Sequence, residues 1–96
     1  MIVNVMEHHV HEAYDRLKGL VKEFEDTPDH REDVIVFALN RLPPKYVVTD
    51  EGKAVTEASL DAPQHRTAID VQVIEALRQV ARVPRSKRRL HSPGGG

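Results

Sequence analysis

Apolar residues recur three and four positions apart through the first quarter of the chain, at Val3, Met6, Val10, Ala13, Leu17, Leu20 and Phe24. That spacing is the seam of one amphipathic helix and predicts a long first helix. Asn4 and Glu7 stand three apart at its start, the spacing of a capping box. Tyr14 and Val21 widen the stripe, and Asp15, Lys18, Lys22 and Glu25 occupy the solvent face. Gly19 weakens the middle by up to about 1 kcal/mol relative to alanine. After a polar break at 25–31, Asp29 and Glu32 repeat the capping spacing and predict a second helix from near His30. Val34, Ile35, Phe37, Ala38 and Leu39 leave it few polar faces, which predicts burial on most sides. Pro43-Pro44 stops it, because proline lacks the amide and disfavours helix in the residue before it.

The period then changes. Tyr46-Val47-Val48-Thr49 is aromatic and β-branched and reads as a strand, with Ala54-Val55-Thr56 as a possible return across the turn Asp50–Lys53. A third helix is expected after Asp61, capped by Asp61 with Gln64 and tolerating Pro63 in its first turn. Its seam is Ile69, Val73, Ala76, Val80 and Val83, broadened by Val71, Ile74 and Leu77, and Pro84 ends it. The expected fold is mainly α: three helices with a short strand or hairpin after the second. One domain spans 1–84, and 85–96 is a basic tail expected to be disordered.

Composition sharpens this picture in three ways. The 96 residues allow one core, and only four aromatics, Tyr14, Phe24, Phe37 and Tyr46, are available to fill it. A core so thin favours pairing with a second copy, so a homodimer is expected. Cysteine is absent, which excludes disulfides, thiol catalysis and thiolate zinc. The net charge of −1 divides into −7 over residues 1–75 and +6 over residues 76–96. No apolar run is long enough to cross a membrane, and the first residues do not pattern as a secretory signal, so the cytoplasm is the expected compartment.

Candidate chemistry is sparse. No Ser-His-Asp signature, glycine-rich phosphate loop or paired carboxylate motif is present, so no catalytic residue is assigned and a non-enzymatic role is expected. His8, His9 and His11 lie close together, but no distant partner completes a set of about four ligands. They read as surface polar residues, and no metal is assigned. Glu23, Glu25, Asp26 and Asp29 read as a solvated charge run. The basic tail, from Arg82 through Arg85 to Arg89, has no interleaved aromatics for base stacking, which argues against nucleic acid as a partner.

Two stretches carry a specific pattern. One is Asn4-Val5-Met6-Glu7 followed by Val10. The other is Asp33-Val34-Ile35-Val36-Phe37-Ala38-Leu39-Asn40-Arg41-Leu42-Pro43-Pro44-Lys45-Tyr46-Val47-Val48. Both resemble motifs of the late competence protein ComFB family, and Gln64 with Asp70-Val71 adds a weaker match. Some members of that family bind zinc through a cysteine cluster before the Asp-Val motif. Here residues 25–32 contain no thiol, so that zinc is not carried over. The resemblance is therefore to the branch lacking those cysteines, and it implies a receptor for a cyclic dinucleotide, with cyclic di-GMP preferred and no further cofactor.

In such a receptor Arg41 and Lys45 would neutralise phosphate, and an Arg fork also matches the guanine edge. Tyr46 would stack on a base, Asp33 would accept from guanine, Asn40 would sit at the helix end, and Gln64 and Arg66 would meet the ligand at the start of the third helix. Helix capping, chain termination and core packing account for the same residues without any ligand. The alternative function is a ligand-free protein-interaction adaptor linked to competence or motility, with a downstream protein partner.

Overall fold

The computed structural model describes residues 1–48 and 63–83, with the side chains of Pro63 and Gln64 outside that description. Its elements are β1 (Ile2–Asn4), α1 (Val5–Leu17), α2 (Pro28–Leu39), β2 (Tyr46–Val48) and α3 (Pro63–Arg82). The three helices pack pairwise around one core, and β1 pairs with β2 in an antiparallel two-stranded sheet. The expected turn at 50–53, the return strand at 54–56, the Asp61 cap, the Pro84 stop and the tail lie outside the described residues.

The core draws on every helix. Val5, Met6, Val10, Ala13, Tyr14 and Leu17 come from α1, Val34, Ile35 and Ala38 from α2, and Ile69, Val73, Ala76, Leu77 and Val80 from α3. Leu42 closes the end beyond α2. Isolated helices of 12 or 13 residues, the lengths of α2 and α1, are marginal in water. Packing therefore holds them, at about 1.5–3 kcal/mol for each large aliphatic side chain fully buried.

The first helix is shorter than its apolar spacing predicts. Val3 belongs to β1, where it pairs with Val47. At the other end α1 stops at Leu17, and a single 3₁₀ turn, Lys18–Leu20, follows. Val21 is extended, with φ −107° and ψ 104°. Leu20 is consequently thrown into solvent, 68% exposed, while the chain doubles back so that Phe24 meets Tyr14 edge-on, ring centroids 5.8 Å apart. Closing Phe24 over the core thus replaces the seven further residues of regular helix that the spacing predicts.

The second helix starts earlier than its carboxylate spacing predicts. Thr27 is the N-cap: its Oγ1 accepts from the His30 amide at 3.1 Å, and Pro28 takes the first helical position. Proline's fixed φ suits that position, where its missing donor costs nothing. The last helical residue is Leu39, three positions before the residue that precedes Pro43. Val36 is 53% exposed, so α2 is not buried on most sides as its composition suggests.

The strand β2 forms as expected, but its partner is the N-terminal segment. The register is Ile2 with Val48, Val3 with Val47 and Asn4 with Tyr46. Val3 and Val47 pack on the core, and Ile2, Tyr46 and Val48 face outward.

Candidate functional site

Asn4 sits where three elements meet. Its Oδ1 accepts from the Met6 amide at 3.1 Å, capping α1, and from the Lys45 amide at 2.9 Å. The Val5 amide donates to the Lys45 carbonyl at 2.8 Å. The segment after Pro43-Pro44 is thus pinned at both backbone groups of Lys45, with the Lys45 and Tyr46 side chains directed to solvent.

A groove of about 550 Å³ runs between α2 and the C-terminal part of α3. Glu32, Asp33, Val36, Phe37 and Asn40 form one wall, and Gln79, Val80 and Val83 the other. The Arg41 guanidinium lies over the Phe37 ring, 3.9 Å from its centroid, which sets a flat cation on an aromatic face at the groove. Its volume falls within the roughly 300–1,000 Å³ usual for small-molecule sites.

The residues singled out from sequence divide among three places. Asp33 and Asn40 line the groove and Arg41 adjoins it through Phe37. Lys45 and Tyr46 stand beyond the double proline beside β1, and Tyr46 is 67% exposed rather than part of the core. Arg66 is exposed in the first turns of α3. Fourteen residues separate it from Val80, about 21 Å of helix rise, so one chain does not bring it to the groove. The Gln64 side chain lies outside the described residues.

A polar network that no sequence periodicity reveals ties α1 to α2. The Tyr14 ring is fully buried, and its hydroxyl donates to Asp26 Oδ1. Lys18 reaches the other oxygen of Asp26 at 2.7 Å. Arg31 donates to Asp15 at 2.9 Å and to His11 Nδ1 at 3.3 Å, and its guanidinium lies 4.7 Å from the Tyr14 ring centroid. Burial, followed by the bond to Asp26, pushes the Tyr14 phenol well above its ordinary range. The Arg31 bond lowers Asp15, and the bonds from Lys18 and then Tyr14 lower Asp26. Asp26 is therefore not a free member of a solvated run. The three histidines also separate: His8 faces solvent, His11 accepts from Arg31, and His9 is buried with no partner for Nε2 among the described residues. Nowhere among the described residues do three His, Asp or Glu side chains converge as metal ligands.

On the α3 side, Arg16 grips Asp70 with both nitrogens, at 2.9 and 3.1 Å. Asp70 therefore serves to dock α1 on α3.

This arrangement has known counterparts. A family model described as late competence development protein ComFB matches residues 3–84. The chain belongs to the ComFB family. Among solved structures, it is similar to the late competence protein ComFB from Bacillus subtilis, at 30% sequence identity and a TM-score of 0.79, covering 88% of this chain and 92% of that one. No curated protein matches. The matched ComFB region takes in the Asn4 clasp, the α2–α3 groove and the Arg16–Asp70 pair. No helix among the described residues is long and apolar enough to cross a membrane.

Proposed function

We propose that this ComFB-family protein is a non-enzymatic, cytoplasmic receptor for cyclic di-GMP that works as a homodimer. The observation carrying this reading is the α2–α3 groove, lined by Asp33 and by Phe37, whose ring carries the Arg41 guanidinium. Asp33 suits the N1 and N2 donors of guanine. The Phe37–Arg41 stack offers a base a flat face, and Arg41 offers a phosphate its charge. The ligand has two phosphates and two guanines related by symmetry, while one groove has one such set. Two copies around a two-fold axis supply two sets, because each contributes the same surface. Lys45 and Arg66, remote from the groove in their own chain, are the cations such a pairing would bring from the neighbour.

Calorimetric titration with cyclic di-GMP, cyclic di-AMP and GMP tests this. Heat with cyclic di-GMP, weakened roughly tenfold or more in Asp33→Asn and Arg41→Ala, is the expected result. No heat with either dinucleotide at micromolar protein refutes it.

The second reading, an adaptor that needs no ligand, is favoured by exposed Val36 on α2, Val71 on α3 and Val83 just beyond it. The α1 seam gives it no support, since Val10, Ala13 and Leu17 are consumed inside the chain. Light scattering that returns a dimeric mass without nucleotide, together with silent calorimetry, would favour the adaptor.

A further inference from the structure

The break at the end of α1 builds a second groove, of about 710 Å³, away from the cyclic-dinucleotide surface. Leu20, Val21, Lys22 and Glu23 form one side, and Arg78, Ala81 and Arg82 of α3 the other. Leu20 and Ala81 supply an apolar floor, and Leu20 alone is 68% exposed. Lys22, Arg78 and Arg82 make the rim cationic, with Glu23 the one acid among the lining residues.

These cations differ from the ones that tie the helices together. Arg16, Lys18 and Arg31 each hold a carboxylate. Lys22, Arg78 and Arg82 form no ion pair among the described residues, and Arg82 donates only to the neutral Gln79 amide. Arg78 and Arg82 stand four apart on one helix face, where like charges repel and weaken the helix. An exposed leucine between unpaired cations is a surface lacking its complement.

We infer that this groove docks an acidic, amphipathic helical segment of a partner protein. Carboxylates four apart on such a helix match the Arg78–Arg82 spacing, and its apolar face meets Leu20 and Ala81. Nucleic acid fits less well: none of the lining residues is an aromatic on which a base stacks, and a phosphate backbone offers no apolar face to Leu20. The inference goes beyond the cyclic-dinucleotide reading and stands or falls separately, because the two grooves share no lining residue.

The test is a ¹⁵N–¹H NMR titration of the full chain. The probes are a helical peptide carrying a leucine stripe flanked by glutamates four apart, a twin with lysines in their place, and a short DNA duplex. The expected result is that the acidic peptide perturbs the amides of Leu20–Glu23 and Ala81, and that Leu20→Ser and Arg78→Glu/Arg82→Glu each weaken binding roughly tenfold or more. All three positions are exposed, so the variants should keep the wild-type spectrum elsewhere. Three outcomes overturn the inference: no perturbation at those amides, equal binding of the lysine twin, or duplex binding that Leu20→Ser leaves unchanged. Self-association of the free protein that Leu20→Ser abolishes also overturns it, by assigning the groove to a second copy.

Discussion

Replacing Asn4 tests whether one side-chain oxygen holds the start of α1 and the segment after the double proline together. Asn4→Ala removes the acceptor from the Met6 amide and from the Lys45 amide at once. Loss of an N-cap costs about 0.5–2 kcal/mol, and the net value of an ordinary hydrogen bond is about 0.5–1.5 kcal/mol. The Lys45 amide lies at an exposed residue, where water replaces part of the loss, and the Val5–Lys45 backbone bond survives. The expected total is about 2 kcal/mol, a large share of the roughly 5–15 kcal/mol that holds a domain folded. In thermal terms this is about 8–16 °C. Asn4→Asp keeps both acceptors and should stay within about 0.5 kcal/mol of the parent. Asn4→Ser caps the helix, but its shorter arm does not span to Lys45, so it should lose about half as much as alanine. Urea unfolding followed by far-ultraviolet circular dichroism measures all three, with an unchanged slope showing that only stability moved. A loss below about 0.5 kcal/mol for alanine, or equal losses for alanine and serine, refutes the double role.

Two further outcomes are expected. Asp15 and Asp26 are held below the ordinary carboxylate range in the folded chain, so unfolding takes up protons in acid. Their contribution is whole above about pH 4 and is lost as pH falls through the lowered folded values; urea midpoints should drop over that window, less steeply in Asp15→Asn/Asp26→Asn, and an unaltered slope refutes the assignment. Gly19→Ala should stabilise by about 0.4–1 kcal/mol, because an added Cβ meets nothing within 4 Å and the unfolded chain loses freedom; a lower urea midpoint would show that the 3₁₀ turn needs glycine.

The helices were legible because their buried faces repeat at a helical period: Ile69, Val73, Ala76 and Val80 are all buried as the spacing implies. The first helix was overrun because Leu20 and Phe24 continue that period while the backbone does not. Periodicity records which residues are apolar, and a return path that stacks Phe24 on Tyr14 satisfies the same record. The pairing of β1 with β2 was hidden for a related reason. Three residues, Ile2–Asn4, are too few to show alternation, and Val3 had already been claimed by the helical seam. At the candidate site, Asp33 and Asn40 line one groove because seven residues make two turns of α2 and its cap, which spacing predicts. Whether α3 approaches that face, and that Arg16 seeks Asp70, depends on tertiary packing between residues 54 apart. Likewise Asp26 looked solvated because its neighbours in sequence are acidic, whereas its partners, Tyr14 and Lys18, arrive from the preceding helix.

The sheet joins Ile2–Asn4 to residues 42 to 46 positions later through three residue pairs. Bringing such distant segments together carries a loop-closure penalty that three pairs repay poorly by themselves. The ribbon therefore leans on the packed helices for most of its stability. It is also the natural place for the native molecule to breathe, opening locally while Val10, Val34 and Val73 stay sealed. Because Lys45 is clasped to Asn4 and Val5 at the end of the same ribbon, an opening that reaches them also loosens the segment that follows the prolines.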